Sequence, residues 1–189
     1  GTTGMEIIDQ VLRVSWGSDL GTVFKEFTAK NAVMDYDEGS GYGNMTRLAS
    51  HLAYPVSAAV PSGTLTSDLE EWGAHYLFFQ PPDQDDNVLT LTFDGQDQVF
   101  WGVMVVALQK TGGYLVQEMT LQPGTAGCLS LNGFGSEVEG VYMIPSILDL
   151  PTVTQPSYFY SAHVGDSCQQ DLTQETGSGG ETSSGGSDK

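Results

Sequence analysis

Residues 99–122 run VFWGVMVVALQK, then TGG, then YLVQEMTLQ, and the pattern of this stretch decides the fold. In its first half Val99, Trp101, Val103, Val105 and Ala107 fall on one alternating face. Phe100, Met104, Val106 and Leu108 fall on the other. A strand that is apolar on both faces must be covered on both, so it belongs in the middle of a packed β structure. Thr111-Gly112-Gly113 then reverses the chain, because glycine tolerates the positive φ that a tight hairpin needs.

Strand signals continue on either side. His75 to Gln80 is an extended run stopped by Pro81-Pro82-Asp83. Asn87 to Phe93 alternates cleanly, with Leu89, Leu91 and Phe93 inward and Thr90 and Thr92 outward, before a turn at Asp94-Gly95. Beyond the hairpin, Pro123-Gly124 breaks the chain. Strands are then expected at Ala126–Asn132, Glu137–Ile144 and Ser157–Val164, with Pro145 and Pro151 bracketing a short segment, SILDL. Seven strands separated by turn residues indicate a mainly β chain, an antiparallel β-sandwich of jelly-roll-like type.

The N-terminal part is different. Met5 to Trp16 carries Ile7, Ile8, Val11, Leu12 and Trp16 at helical spacing. Gly17 ends that helix, and Ser18 or Asp19 caps a second one from about Leu20 to Ala32, with Leu20, Val23, Phe24, Phe27 and Asn31 on one face. This predicts a helical hairpin at 1–34, an irregular connector at 35–72, the sandwich at 73–168 and a disordered Ser/Gly/Glu-rich tail at 169–189. Within the connector, Asp35, Asp37 and Glu38 resemble the start of a calcium loop, but the twelfth position from Asp35 is Thr46 and not the bidentate Glu an EF-hand requires. Asn44-Met45-Thr46 is formally a glycosylation sequon.

Charge and composition narrow the function classes. The chain has 189 residues, a net charge of −18, and no Lys or Arg between Lys110 and Lys189. Such a surface repels phosphate and anionic headgroups, which argues against nucleic-acid partners and against a membrane surface. No apolar run approaches the ~20 residues of a transmembrane helix. The sequence opens Gly1-Thr2-Thr3-Gly4 without Met or a signal peptide, as expected for a mature product or an excised fragment. Cys128 and Cys168 lie 40 residues apart with no CxxC. They are either a disulfide, which would place the chain in an oxidising compartment and so secreted or at the cell surface, or two buried thiols.

Candidate chemistry is sparse. His51, His75 and His163 are isolated from one another, and no HExxH or G-x-S-x-G is present. Asp83, Asp85, Asp86, Asp94 and Asp97 flank one strand at its two ends, so all five cannot share an ion. Asp83/Asp85/Asp86 or Asp94/Asp97 could hold calcium through hard oxygen ligands, or serve only as turn formers. Trp16, Trp72 and Trp101 are candidates for a carbohydrate platform; Trp101 is expected in the core, and Trp72, beside Gly73 at the entrance to the sandwich, is the one to test for ligand binding.

Three stretches together carry a family resemblance: SDLGTVFKEFTAKNAV, EWGAHYLFF, and the run from LTLTFDG into the hairpin. Phe24, Phe27 and Asn31 on the helix and Gly73-Ala74-His75-Tyr76 at the first sandwich strand resemble the region after the catalytic domain in large zinc metalloproteases secreted by myxobacteria and related bacteria. Because HExxH is absent, the resemblance implies a non-catalytic accessory module that meets a protein partner. The competing expectations are a self-assembling surface or filament subunit, and a calcium-dependent glycan-binding sandwich.

Overall fold

The computed structural model describes residues 4–33, 52–55, 62–66, 72–83, 85–122, 125–149, 156–165 and 168, with the backbone alone at 52–55, 62–66 and 86. The polar loop, the sequon, His51 and the tail expected from residue 169 lie outside the described residues.

Two helices, α1 (Gly4–Trp16) and α2 (Leu20–Val33), precede nine strands. These are β1 (Leu52–Pro55), β2 (Ser62–Thr66), β3 (Leu77–Gln80), β4 (Asp86–Gly95), β5 (Trp101–Gln109), β6 (Tyr114–Glu118), β7 (Ala126–Gly135), β8 (Val138–Ile147) and β9 (Ser157–Val164). Pairing follows two paths, β1-β3-β8-β5-β6 and β7-β4-β9-β2, which are joined by one strand pair, Phe134 with Val138, and by an isolated bridge between Leu121, just beyond β6, and Gly127 of β7. Every neighbour within these paths is antiparallel except β1 with β3. The fold is mainly β, a sandwich whose sheets do not close into a barrel.

The core lies between the two layers. Leu89, Leu91 and Phe93 of β4 meet Val103, Val105 and Ala107 of β5, with Met143, Ile147, Tyr158 and Tyr160 completing one cluster. Side chains of this size each contribute roughly 1.5–3 kcal/mol when fully buried, so these inner faces dominate stability. The second face of β5 is covered by α2: Met104, Val106 and Leu108 pack with Tyr142 and Ile144 against Ala29 and Ala32. The two-faced apolarity of residues 99–108 is thereby accounted for, one face by the other sheet and one by a helix. The reversal at Gly112 and Gly113 has φ of +88° and +87°, as a tight turn requires.

The opposite sheet leaves its outer face polar. The hydroxyl of Thr90 lies 3.1 Å from that of Ser130, and Thr92 pairs in the same way with Ser161 at 2.5 Å. Cys128, in register with Thr92, is on this face and is bonded to Cys168. The Cys168 amide donates to the Ser130 hydroxyl at 2.8 Å, so the chain after β9 is stapled across β7. Closing a loop of 40 residues constrains the unfolded chain by about 4 kcal/mol in the chain-entropy account.

Three features depart from the sequence pattern. Strands β1 and β2 fall within the stretch expected to be an irregular connector. Both sit at sheet edges, where backbone pairing alone recruits a segment with no alternating pattern. β8 runs through Pro145 instead of stopping before it. The Pro145 carbonyl accepts the His75 amide at 3.0 Å, and in an antiparallel strand a residue's N and C=O face the same neighbour. The missing N–H therefore faces the loose approach to β3, and pairing with β5 is preserved. Finally, the buried face of α2 is Thr28, Ala29 and Ala32, while Phe27 is half exposed. Small side chains allow the helix to lie close on the sheet, which a phenylalanine at that contact would prevent.

Candidate functional site

Where the turn between the helices and the first residues of α2 meet the sheet, the surface becomes concave. The turn between the helices fixes its first wall. Gly17 takes a φ of +68°, and the Ser18 amide reaches back to the Leu12 carbonyl. Asp19 then caps α2, its Oδ1 accepting the Thr22 amide at 2.8 Å. Asp9 of α1 accepts the Leu20 amide at 2.8 Å through one oxygen and the Arg13 guanidinium at 2.7 Å through the other. Both carboxyls are held below the usual carboxylate range, Asp9 first by the Arg13 hydrogen bond and Asp19 first by the Thr22 amide. Arg13 is correspondingly raised by Asp9.

Trp72 forms the floor. Its backbone is left-handed, with φ of 60°, and is fixed by hydrogen bonds from the Trp72 amide to the Ile147 carbonyl and from the Ile147 amide to the Gly73 carbonyl. The indole meets the Phe24 ring edge-on, with centroids 5.4 Å apart. Its Nε1–H is buried without a hydrogen-bond partner. A non-glycine residue held in this region stores strain of order 1–3 kcal/mol, which the surrounding hydrogen bonds must over-determine.

A cleft of about 440 Å³ opens here, lined by Met5, Glu6, Asp9, Arg13, Asp19, Leu20, Gly21, Trp72, Phe100, Leu148 and Asp149. A second, of about 350 Å³, is lined by Lys25, Phe100, Trp101, Glu118, Met119, Thr120, Leu121 and Leu148. The two share Phe100 and Leu148, which are tied by a 2.9 Å hydrogen bond from the Leu148 amide to the Phe100 carbonyl. Phe100 is 69% exposed although it belongs to the face that α2 covers further along β5. The cover ends at Gly102, where a Cβ would stand 2.8 Å from the Lys25 side chain and 2.9 Å from Leu148.

Of the metal and ligand candidates proposed from sequence, only Trp72 lies in these clefts, although Trp101, expected in the core and buried, borders the second. The acidic residues are separated along β4. Asp83 and Asp85 precede the strand, and Asp94 and Asp97 stand at its far end. Asp83 Oδ1 accepts the Asp85 amide at 3.0 Å and the Asn87 side-chain amide at 2.8 Å, a local turn that starts β4. The Asp86 side chain lies outside the description. Among the described residues no three His, Cys, Asp or Glu side chains gather as a metal site. His75 is buried, its Nδ1 2.8 Å from the Tyr158 hydroxyl, and His163 sits on β9 opposite Thr90. Phe100 and Leu148 were not signalled as site residues, because alternation assigns a face to a strand residue but cannot say how closely a neighbouring element covers it.

The architecture thus defines a disulfide-bonded, mainly β sandwich capped on one face by a helix. No family model matches the chain, and no curated protein matches it in sequence. Among solved structures, it resembles the pre-peptidase C-terminal domain of a collagenase from Bacillus anthracis at a TM-score of 0.38 and 8% identity, over 62% of this chain and 97% of that one. It also resembles tripeptidyl peptidase 2 at a TM-score of 0.39 and 10% identity, over 60% of this chain but only 10% of that one. No described helix is long and apolar enough to cross a membrane.

Proposed function

We propose that this chain is a non-catalytic accessory module of a secreted, metalloprotease-like extracellular protein, packing on the rest of that protein. The observation that carries this is α1. It buries no residue, and it holds Ile7, Ile8, Val11, Val14 and Trp16 out to solvent in this chain. Ile7, Val11 and Val14 form one exposed stripe, with Ile8 at its flank and Trp16 on the other side of the helix end. An exposed apolar stripe of this kind marks a contact surface, and the parent protein is the occupant that the sequence resemblance supplies. The disulfide supports an oxidising, extracellular setting. The direct test is the coding sequence upstream of Gly1 together with the full-length protein. An HExxH motif should lie upstream, and α1 should be protected from proteolysis in the full-length protein but not in the isolated chain. An upstream sequence lacking the motif removes the protease context.

One observation favours a second reading, self-assembly. Among the described residues β6 pairs only with β5, and it exposes Leu115 and Val116 on an open edge. Sedimentation of the isolated chain decides this, since a strict monomer at high concentration eliminates pairing through that edge.

A further inference from the structure

β6 stands outside both covers of its sheet. Leu115 is in register with Ala107, so the two share the face that the other sheet covers, yet Ala107 is buried and Leu115 is 56% exposed. Val116 is in register with Val106 on the face that α2 covers, yet Val106 is buried and Val116 is 45% exposed. Cover on both faces therefore ends between β5 and β6, and an edge strand is left with a bare apolar residue on each side. The hydrogen bonds of this pair show which backbone groups are open. The Met119 amide donates to the Val103 carbonyl, and the Gln109 amide to the Gly113 carbonyl. In an antiparallel pair the N–H and C=O of one residue face the same neighbour, and the facing residues alternate. Leu115 and Gln117 accordingly bond to β5, while Val116 and Glu118 turn their backbone groups away from it. Charge also sets this edge apart. Residues 114–122 carry one charged side chain, Glu118, and it is paired with Lys25, in a chain of net charge −18.

We propose that β6 pairs with β6 of a second copy of this chain, antiparallel and centred on Val116, so that the β1-β3-β8-β5-β6 sheet continues across two molecules. This register sets Val116 opposite Val116 and Leu115 opposite Gln117, and it turns the open N–H and C=O of each Val116 toward the other. Charge selects the occupant. Copies of an acidic chain repel at long range, so they can meet closely only where no unpaired charge stands, as along this edge. A strongly charged partner finds nothing here to pair with. A contact between five-residue strands is small beside the roughly 1,200 Å² at which stable interfaces begin, so the association is weak and depends on concentration. This inference rests on the self-assembly reading and supplies its register; the surface it uses is not that of α1.

The test uses the isolated chain, followed by sedimentation velocity up to millimolar concentration. A reversible dimer should appear and should strengthen as salt is raised, because screening removes the repulsion between acidic copies. In the dimer the Val116 amide should exchange its hydrogen at least about tenfold more slowly by NMR, while the Gln117 amide, already bonded to β5, stays as in the monomer. Val116→Pro deletes only an N–H that faces away from β5 and should abolish the dimer. Val116→Lys should do the same by opposing two like charges, and serves if the proline variant does not fold. With the native disulfide kept oxidised, Val116→Cys should crosslink across the pair faster than Gln117→Cys, whose twin lies on a diagonal beyond disulfide reach. A strict monomer would overturn both the proposal and the self-assembly reading. A dimer that survives Val116→Pro and Val116→Lys, or that leaves Val116 exchange unchanged, would overturn the β6 pairing and move self-assembly to another surface. Equal crosslinking of the two cysteine variants would overturn the register, and a dimer that weakens with salt would overturn the uncharged edge as its basis.

Discussion

The two helices are of similar length and differ in the opposite sense from what their sequences lead one to expect. α1 has the cleaner apolar stripe and buries nothing, whereas α2 has a weak stripe and covers β5 and β8 with Thr28, Ala29 and Ala32. Amphipathicity states that a helix has a face in need of cover. It does not state that the same chain provides it. Packing against a sheet is decided by how closely the backbone can approach, and small residues win that contest over large ones.

The sharpest way to break this comparison is to place a charge on each helix in turn. Ala32→Glu puts a carboxylate at a position only 1% exposed, and should destabilise the fold by about 3 kcal/mol or more in urea unfolding. Removing the cap that joins the helices is the next largest effect. Asp19→Ala should cost about 1 kcal/mol, with Asp19→Asn retaining most of it, since an amide oxygen can still accept the Thr22 N–H. Acid should separate the helices from the sandwich more gently. Asp9 and Asp19 have folded pKa values below the ordinary 3.8, so their contribution is complete above that pH and is lost as the pH falls through the folded values. Helical circular dichroism should therefore decline below about pH 4 before the near-ultraviolet signal of the sandwich aromatics. Smallest of all, Val14→Glu on α1, at a site 80% exposed, should change the stability of the isolated chain by less than about 0.5 kcal/mol. A larger loss there would show that α1 is already covered and would remove the main support for the accessory role.

Much of the fold was legible because its signals are periodic. The alternation of Leu89, Leu91 and Phe93, the two apolar faces of 99–108, the glycine turn and both helices all stand where the pattern puts them. β1 and β2 were not legible, since edge strands are recruited through backbone groups that every sequence possesses. Pro145 misled because its tolerance depends on which neighbour the missing N–H faces, a property of pairing and not of the residue. The cleft was invisible for a related reason. Trp72 could be suspected from its type, but Phe100 and Leu148 come to line a hollow only through where the turn between the helices and the first residues of α2 meet the sheet, which no alternation records.

The bond between Cys128 and Cys168 also governs how the molecule bears load. A pull on the chain beyond Cys168 does not arrive at β9, although β9 is the preceding strand. It enters β7 directly through the sulfurs, so β9 and its pairing with β4 are shielded from being peeled away residue by residue. Reduction would reroute the same force into the end of β9 and replace a many-bond rupture with sequential unzipping. Force–extension traces recorded with and without reductant should differ accordingly, with the oxidised form rupturing at the higher force.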